Sequence, residues 1–219
     1  MFTGLVEEIG TIQHVNRLDA GARLVIAAST IMPDMARGDS IAIDGCCLTA
    51  EEFTPDTFTV FASLETLRRT TLGQRIVGSK VNLERALTLS KHLGGHLVSG
   101  HIDAPGTFVS ATKTGDAFEV WIGAPPEIIS HCVEKGSVTV DGISLTVVDV
   151  HDDRFSLWII PETWERTTLS LRKVGDAVNL ESDLIAKYVF RFLENREGGS
   201  SSKDRRLADL LDGGSWGAR

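Results

Sequence analysis

Three histidines within ten residues, His92, His96 and His101, and two adjacent cysteines, Cys46 and Cys47, are the side chains best suited to metal or nucleophilic chemistry. His92 and His96 have the i, i+4 spacing of a helical metal pair. The segment HLGGH nevertheless lacks the glutamate of an HExxH zinc site, and its two glycines disfavour a helix. There is no CxxC pair to complete a structural zinc site, so no metal is expected. Cys47 has two readings, a nucleophile or the start of a buried strand, and its neighbours favour the strand. Neither a GxGxxG turn nor a GxxxxGK[ST] loop occurs, which removes the simplest grounds for a dinucleotide or ATP site.

A second set of polar residues occurs twice. Asp44-Gly45 is matched by Asp141-Gly142, and Thr49 by Thr146. Glu65-Thr66 returns as Glu162-Thr163, and Arg69-Thr70-Thr71 as Arg166-Thr167-Thr168. A pocket that hydrogen-bonds a flat polar heterocycle with a polyol tail would use such groups. Tight turns and helix capping would use them equally well, and both readings stay open.

The doubling extends to the elements that must position these residues. IAIDGCCLT at 41–49 returns as VTVDGISLT at 138–146, and FASLETLRRTTL at 61–72 as WIIPETWERTTL at 158–169. VGSKVNLE at 77–84 returns as VGDAVNLE at 174–181, all with one offset of 97. A weaker pair, FTGLV from Phe2 and VSGHI from Val98, opens each copy. The chain therefore reads as two copies of one module. Each copy holds six short, often alternating segments punctuated by Gly, Asp, Asn or Ser, which predicts strands. Without βαβ alternation the expected class is all-β: two tandem six-stranded Greek-key barrels. The boundaries are 1–97 and 98–183, followed by an amphipathic helix at 184–197 and a flexible tail at 198–219. Leu184, Ile185, Tyr188, Val189, Phe192 and Leu193 make an apolar stripe on that helix, for packing on its own barrel or for self-association.

Composition narrows the function further. With 42% hydrophobic and 24% charged residues the chain is of globular type, and its net charge of −8 argues against a nucleic-acid partner. No apolar run approaches the roughly 18 residues of a membrane span, and the first ten residues do not read as a signal peptide. Three cysteines make a poor disulfide framework, so a cytoplasmic location is expected.

MFTGLVEEIG, DGCCLT, LETLRRTTLG, VNLERA, GGHLVSGHID, KGSVTVDGISLT and IPETWERTTL, taken together and in order, closely resemble the alpha-chain riboflavin synthases from Met1 to about residue 196. The resemblance implies two similar Greek-key barrels and a C-terminal helix that joins three chains into a homotrimer. It implies dismutation of two 6,7-dimethyl-8-ribityllumazine molecules, one giving a four-carbon unit to the other. The products are riboflavin and 5-amino-6-(D-ribitylamino)uracil, and no cofactor is consumed. Each barrel would bind one lumazine, and reaction would occur where an N-terminal barrel faces the C-terminal barrel of a neighbouring chain. Association with other riboflavin-pathway enzymes stays open.

By position, the resemblance places Gly4, Leu5, Val6, Cys47, Leu48, Thr49, Phe61, Ala62, Ser63, Leu64, Glu65 and Thr66 in a first pocket. It places Gly100, His101, Ile102, Lys135, Ser144, Leu145, Thr146, Trp158, Ile159, Ile160, Pro161, Glu162 and Thr163 in a second. Residues at the chemistry would be Phe2, Cys47, His101, Ser144, Thr146 and Asp183. Asp44 stands where many relatives have Asn. The lumazine C7 methyl is acidic because its carbanion delocalises into the ring, so a weak base such as His101 suffices. The other lumazine needs a nucleophile or water at C7, which Ser144 or Cys47 can supply or position. Where the halves differ, Cys47 against Ser144 and Leu5 against His101, the two molecules should be treated differently. The rival on the same fold is a lumazine or flavin carrier without catalysis, whose second-half motifs erode; here GISLT, SGHI and IPET are intact.

Overall fold

The computed structural model describes residues 1–197, so the tail expected at 198–219 lies outside the described residues. Strands β1 (Glu8–Leu18), β2 (Gly21–Ala27), β3 (Ser40–Ile43), β4 (Cys46–Phe53), β5 (Thr57–Ser63) and β6 (Lys80–Arg85) close a barrel in the order β1-β2-β5-β4-β3-β6. Strands β7 (Ala104–Thr114), β8 (Ala117–Gly123), β9 (Ser137–Val140), β10 (Ile143–Val150), β11 (Arg154–Ile159) and β12 (Ala177–Ser182) close the second, in the order β10-β11-β8-β7-β12-β9. Neighbouring strands run antiparallel. Closure leaves no unpaired strand edge.

Alternation fills each barrel, because every second side chain points inward. Leu24, Ile26, Ile41, Ile43, Phe58, Val60, Val81 and Leu83 are buried in the first core. Val120, Ile122, Val138, Val140, Phe155, Leu157, Val178 and Leu180 are their counterparts in the second. The Asp-Gly pairs make two-residue hairpins: Asp44 and Gly45 have φ of 45° and 81°, Asp141 and Gly142 of 48° and 77°. Both central residues at positive φ match the twist of the flanking strands.

These turns also join the barrels. The Asn82 amide donates to the Asp141 carbonyl at 3.0 Å and the Asn179 amide to the Asp44 carbonyl at 2.8 Å. In return Thr168 N–H donates to Asn82 Oδ1 at 2.8 Å and Thr71 N–H to Asn179 Oδ1 at 2.7 Å. Arg75 donates to the Asp44 carboxylate and Arg172 to that of Asp141, each at 2.6 Å. Burial and the nearby Asp44 carboxylate push the Asp141 carboxyl up to about 6, against the pull of Arg172. Asn179→Ala would leave a buried N–H and a buried C=O without partners, at a cost of about 3 kcal/mol. The melting temperature should fall by roughly 6–12 °C. An unchanged melt would show that the seam contributes nothing.

Three short helices punctuate the barrels: α1 (Leu64–Arg69), α2 (Pro126–Ile129) and α3 (Pro161–Arg166). Helix α4 (Leu184–Glu197) falls where the apolar stripe places it. Its Ile185, Tyr188, Val189, Phe192 and Leu193 are each at least half exposed in the single chain.

Candidate active site

The repeated VNLE motif builds the frame of the site. Glu84, on β6, accepts from Thr3 N–H at 2.7 Å, the Thr3 hydroxyl at 2.6 Å and Gly4 N–H at 2.9 Å. Glu181, on β12, accepts from Ser99 N–H at 2.7 Å, the Ser99 hydroxyl at 2.6 Å and Gly100 N–H at 3.0 Å. Burial pushes the Glu84 carboxyl above the usual range, although the donors on Thr3 oppose it. The two segments held this way pair with each other. Phe2 N–H donates to Val98 C=O at 2.8 Å, and Val98 N–H to Phe2 C=O at 3.1 Å. Phe2 itself is buried with Val98 against Ala42.

Each segment then crosses to the other barrel, which corrects the grouping expected from sequence. The Gly4 carbonyl accepts from Ser144 N–H at 2.7 Å, and the Gly100 carbonyl from Cys47 N–H at 2.8 Å. Val6 packs against the second core and Ile102 against the first. Gly4, Leu5 and Val6 therefore sit with Ser144, Leu145 and Thr146, while Gly100, His101 and Ile102 sit with Cys47, Leu48 and Thr49. The approach demands glycine. With φ of +75° and +80°, a Cβ on Gly4 would lie 2.6 Å from Ser144 Cβ, and one on Gly100 2.6 Å from Cys47 Cβ. A repeat reports what each segment looks like locally, not which barrel it lies against.

Strand alternation sets which side chains face the core and which face outward. Leu48 and Leu145 point into the cores, whereas Cys47, Thr49, Ser144 and Thr146 are partly or fully exposed on the outer face. Cys46 points inward, and burial pushes its thiol up to about 12, so it is inert. At the end of β5, half-buried Phe61 and buried Ala62 lead to Ser63, whose hydroxyl caps α1 by accepting from Thr66 N–H at 3.1 Å. In the second barrel Ile159 is buried while Trp158 and Ile160 stand exposed before Pro161 opens α3. Beside Ser40, which faces Thr49 across strands β3 and β4, lies a cavity of about 460 Å³. Of its charged lining residues, Arg85 and Lys91 both pair with Glu7.

Much of the repeated polar set has partners within the chain. Glu65–Arg69 and Glu162–Arg166 are exposed ion pairs at 2.8 and 2.7 Å along α1 and α3. Thr70 and Thr167 cap 3-10 turns, and their hydroxyls donate to the carbonyls of Thr66 and Thr163 at 2.7 Å. Lys135 is exposed, with φ of 64°, and its N–H donates to Val147 C=O at 2.8 Å.

His96, considered in the sequence only as a metal ligand, is the residue that reading missed. Its Nδ1 lies 2.7 Å from Ser144 Oγ. Burial pushes the imidazole below its usual range, while the Asp183 carboxylate pulls the other way. A neutral ring can accept the Ser144 proton through Nδ1. No local pattern announces this contact, since 48 residues separate the partners. His101 is exposed, and its N–H donates to Ser99 Oγ at 3.2 Å. Among the described residues no group of three or more His, Cys, Asp or Glu is placed to hold a metal ion.

This geometry defines a class: a doubled six-stranded barrel with matched residues on the outer faces of its two halves. A family model described as lumazine binding domain matches it twice, over residues 3–86 and 99–183. The riboflavin synthase of Actinobacillus pleuropneumoniae is 40% identical over 98% of this chain and 100% of that protein. That of Mycobacterium tuberculosis strain H37Rv is 46% identical over 89% of this chain and 99% of its own. Among solved structures, LumP complexed with riboflavin superposes with a TM-score of 0.78 at 25% identity, covering 83% of this chain and 99% of that one. The chain belongs to the riboflavin synthase family.

Proposed function

We infer that the chain is an enzyme that makes riboflavin from two molecules of 6,7-dimethyl-8-ribityllumazine by transfer of a four-carbon unit, releasing 5-amino-6-(D-ribitylamino)uracil. The observation that carries this is the duplicated frame: Glu84 and Glu181 hold two matched backbone loops against Ser144 and Cys47. Two equivalent sites suit a reaction whose two substrates are the same molecule. Atoms balance without water or a redox partner, so no cofactor is required. Outer-face Thr49 and Thr146 offer hydroxyls to a ring or ribityl chain, and Trp158 and Ile160 give the second pocket an apolar shelf. Holding two heterocycles in register supplies several kcal/mol by effective molarity.

Incubation of the purified chain with 6,7-dimethyl-8-ribityllumazine should yield riboflavin and the diaminouracil in a one-to-one ratio. Binding without product would instead identify a carrier, the alternative that the intact second-half motifs disfavour.

Assembly as a homotrimer belongs to the same proposal. The apolar face of α4, with Ile185, Tyr188, Val189, Phe192 and Leu193 exposed in the single chain, supports self-association. Removal of residues 184–219 should give monomers in sedimentation and lose turnover, whereas an unchanged trimer would refute the role of the helix. The cytoplasm is the proposed location, where free Cys46, Cys47 and Cys132 stay reduced. No helix among the described residues is long and apolar enough to cross a membrane.

A further inference from the structure

The segment from Ala86 to Leu97 leaves β6, crosses to the second module and carries His96. It contributes a strand to neither barrel, yet its histidine lies 2.7 Å from Ser144 Oγ. Two contacts set the course of this strap.

At its far end the strap closes on the frame of the site. His96 N–H donates to the Thr3 carbonyl at 3.1 Å. Thr3 has little freedom to yield, because buried Glu84 accepts from both its N–H and its hydroxyl. The residue before His96 is Gly95. A Cβ there would overlap the Thr3 carbonyl oxygen and lie 3.0 Å from both Cβ and Oγ of Ser144. Gly95 is outside the left-handed region, so glycine serves close approach at this position and not a turn.

In its middle the strap has an ionic hold. Leu87 N–H donates to the Met1 carbonyl at 2.9 Å. Between Leu87 and His96, among the described residues, the one hydrogen bond or ion pair to the rest of the chain is Lys91 Nζ to Glu7, at 3.2 Å. Glu7 is fixed in turn by Arg85, whose N–H and guanidinium each donate at 2.8 Å. Beneath this stretch lies the cavity of about 460 Å³, and Leu89 and Leu93 are exposed, so no apolar core carries it. Ordering an unpacked segment costs conformational entropy at every residue, so a single pin shifts its population directly.

Resting on the function inferred above, we propose that Gly95 and Lys91 are positioning residues. Gly95 lets the strap close on Thr3, and Lys91, pinned to Glu7, keeps it in place so that His96 stays on Ser144. Each acts through His96.

The imidazole itself reports its position. Burial outweighs the pull of the Asp183 carboxylate and keeps it below its usual range, so a His96 that leaves Ser144 titrates higher. Imidazole NMR on the full chain, with the signal assigned through His96→Gln, reads that shift without turnover. Gly95→Ala should raise the His96 titration and lower kcat by about 10²-fold, the effect of a misplacement of about 1 Å, with KM little changed. Lys91→Met should raise it less and lower kcat by about three- to fivefold at low salt. Added salt should bring the unsubstituted enzyme toward the Lys91→Met rate, and Lys91→Arg should restore the lost activity. A merely structural role would lower the melting temperature and leave the His96 titration unchanged, which would overturn the proposal. A normal kcat in Gly95→Ala would do the same. Should Gly95→Ala fail to fold, Lys91→Met decides alone, because its titration and salt dependence read the same contact. An unsubstituted chain that makes no riboflavin would sink the underlying function, whereas the NMR titration would still decide whether the strap places His96.

Discussion

Gly100→Ala should cost the protein its activity and much of its stability together. A Cβ there would lie 2.6 Å from Cys47 Cβ and 2.8 Å from a ring carbon of buried Phe2, on a residue with φ of +80°. Neither neighbour can move freely, since Phe2 is pinned to Val98 through both backbone hydrogen bonds and Cys47 lies in a barrel strand. Left-handed strain and overpacking together should cost about 2–5 kcal/mol. The bond from Cys47 N–H to the Gly100 carbonyl would open, and the loop carrying His101 would shift away from the first pocket. Misplacement of about 1 Å can cost roughly 10²-fold in rate, so riboflavin formation should fall at least that far. Gly4→Ala should do the same to the second pocket through Ser144. Thermal unfolding and initial rates check both variants. Normal values for either would mean that the crossed segments do not pack as described.

An isolated fragment of residues 1–97 should bind lumazine only as a dimer. The sequence alone suggests a self-contained first pocket, but in the structure Cys47 N–H is satisfied by Gly100 and the first core is covered in part by Ile102, both beyond residue 97. The same fragment owns a near copy of the missing piece. Thr3 and Gly4 meet Glu84 as Ser99 and Gly100 meet Glu181, so a second fragment can offer its Gly4 carbonyl to Cys47. Asn82 and the Asp44 turn are likewise preadapted to an isologous seam, because Asn179 and Asp141 are their matches. Affinity measured across a dilution series should therefore fall as the dimer dissociates. A monomeric fragment with the affinity of the full chain would show that the crossing is dispensable.

Strands, hairpins and the helix at 184–197 were legible because their signals are local. Alternation in TFTVFAS fixes which residues enter the core of β5, the Asp44-Gly45 pair fixes a two-residue turn, and a 3.6-residue stripe fixes α4. Equivalent places in the two halves were legible as well, through the repeats. The roles of the repeats were not. Glu84 and Glu181 read as ends of strands, yet each gathers three hydrogen bonds from a segment about 80 residues away. Arg75 and Arg172, which anchor the Asp44 and Asp141 carboxylates, drew no attention in the sequence.

By itself the sequence determined the doubled all-β architecture, the alternation within strands and the family resemblance, because each follows from side-chain type at short spacing. Only the tertiary structure decided that Gly4 serves the second barrel and Gly100 the first, and that His96 meets Ser144. The physical reason is the near-identity of the two modules. Either barrel could accept either segment on local grounds, and the choice is made by the Phe2–Val98 pairing and the Asn82–Asn179 seam, contacts that exist only once both barrels have closed.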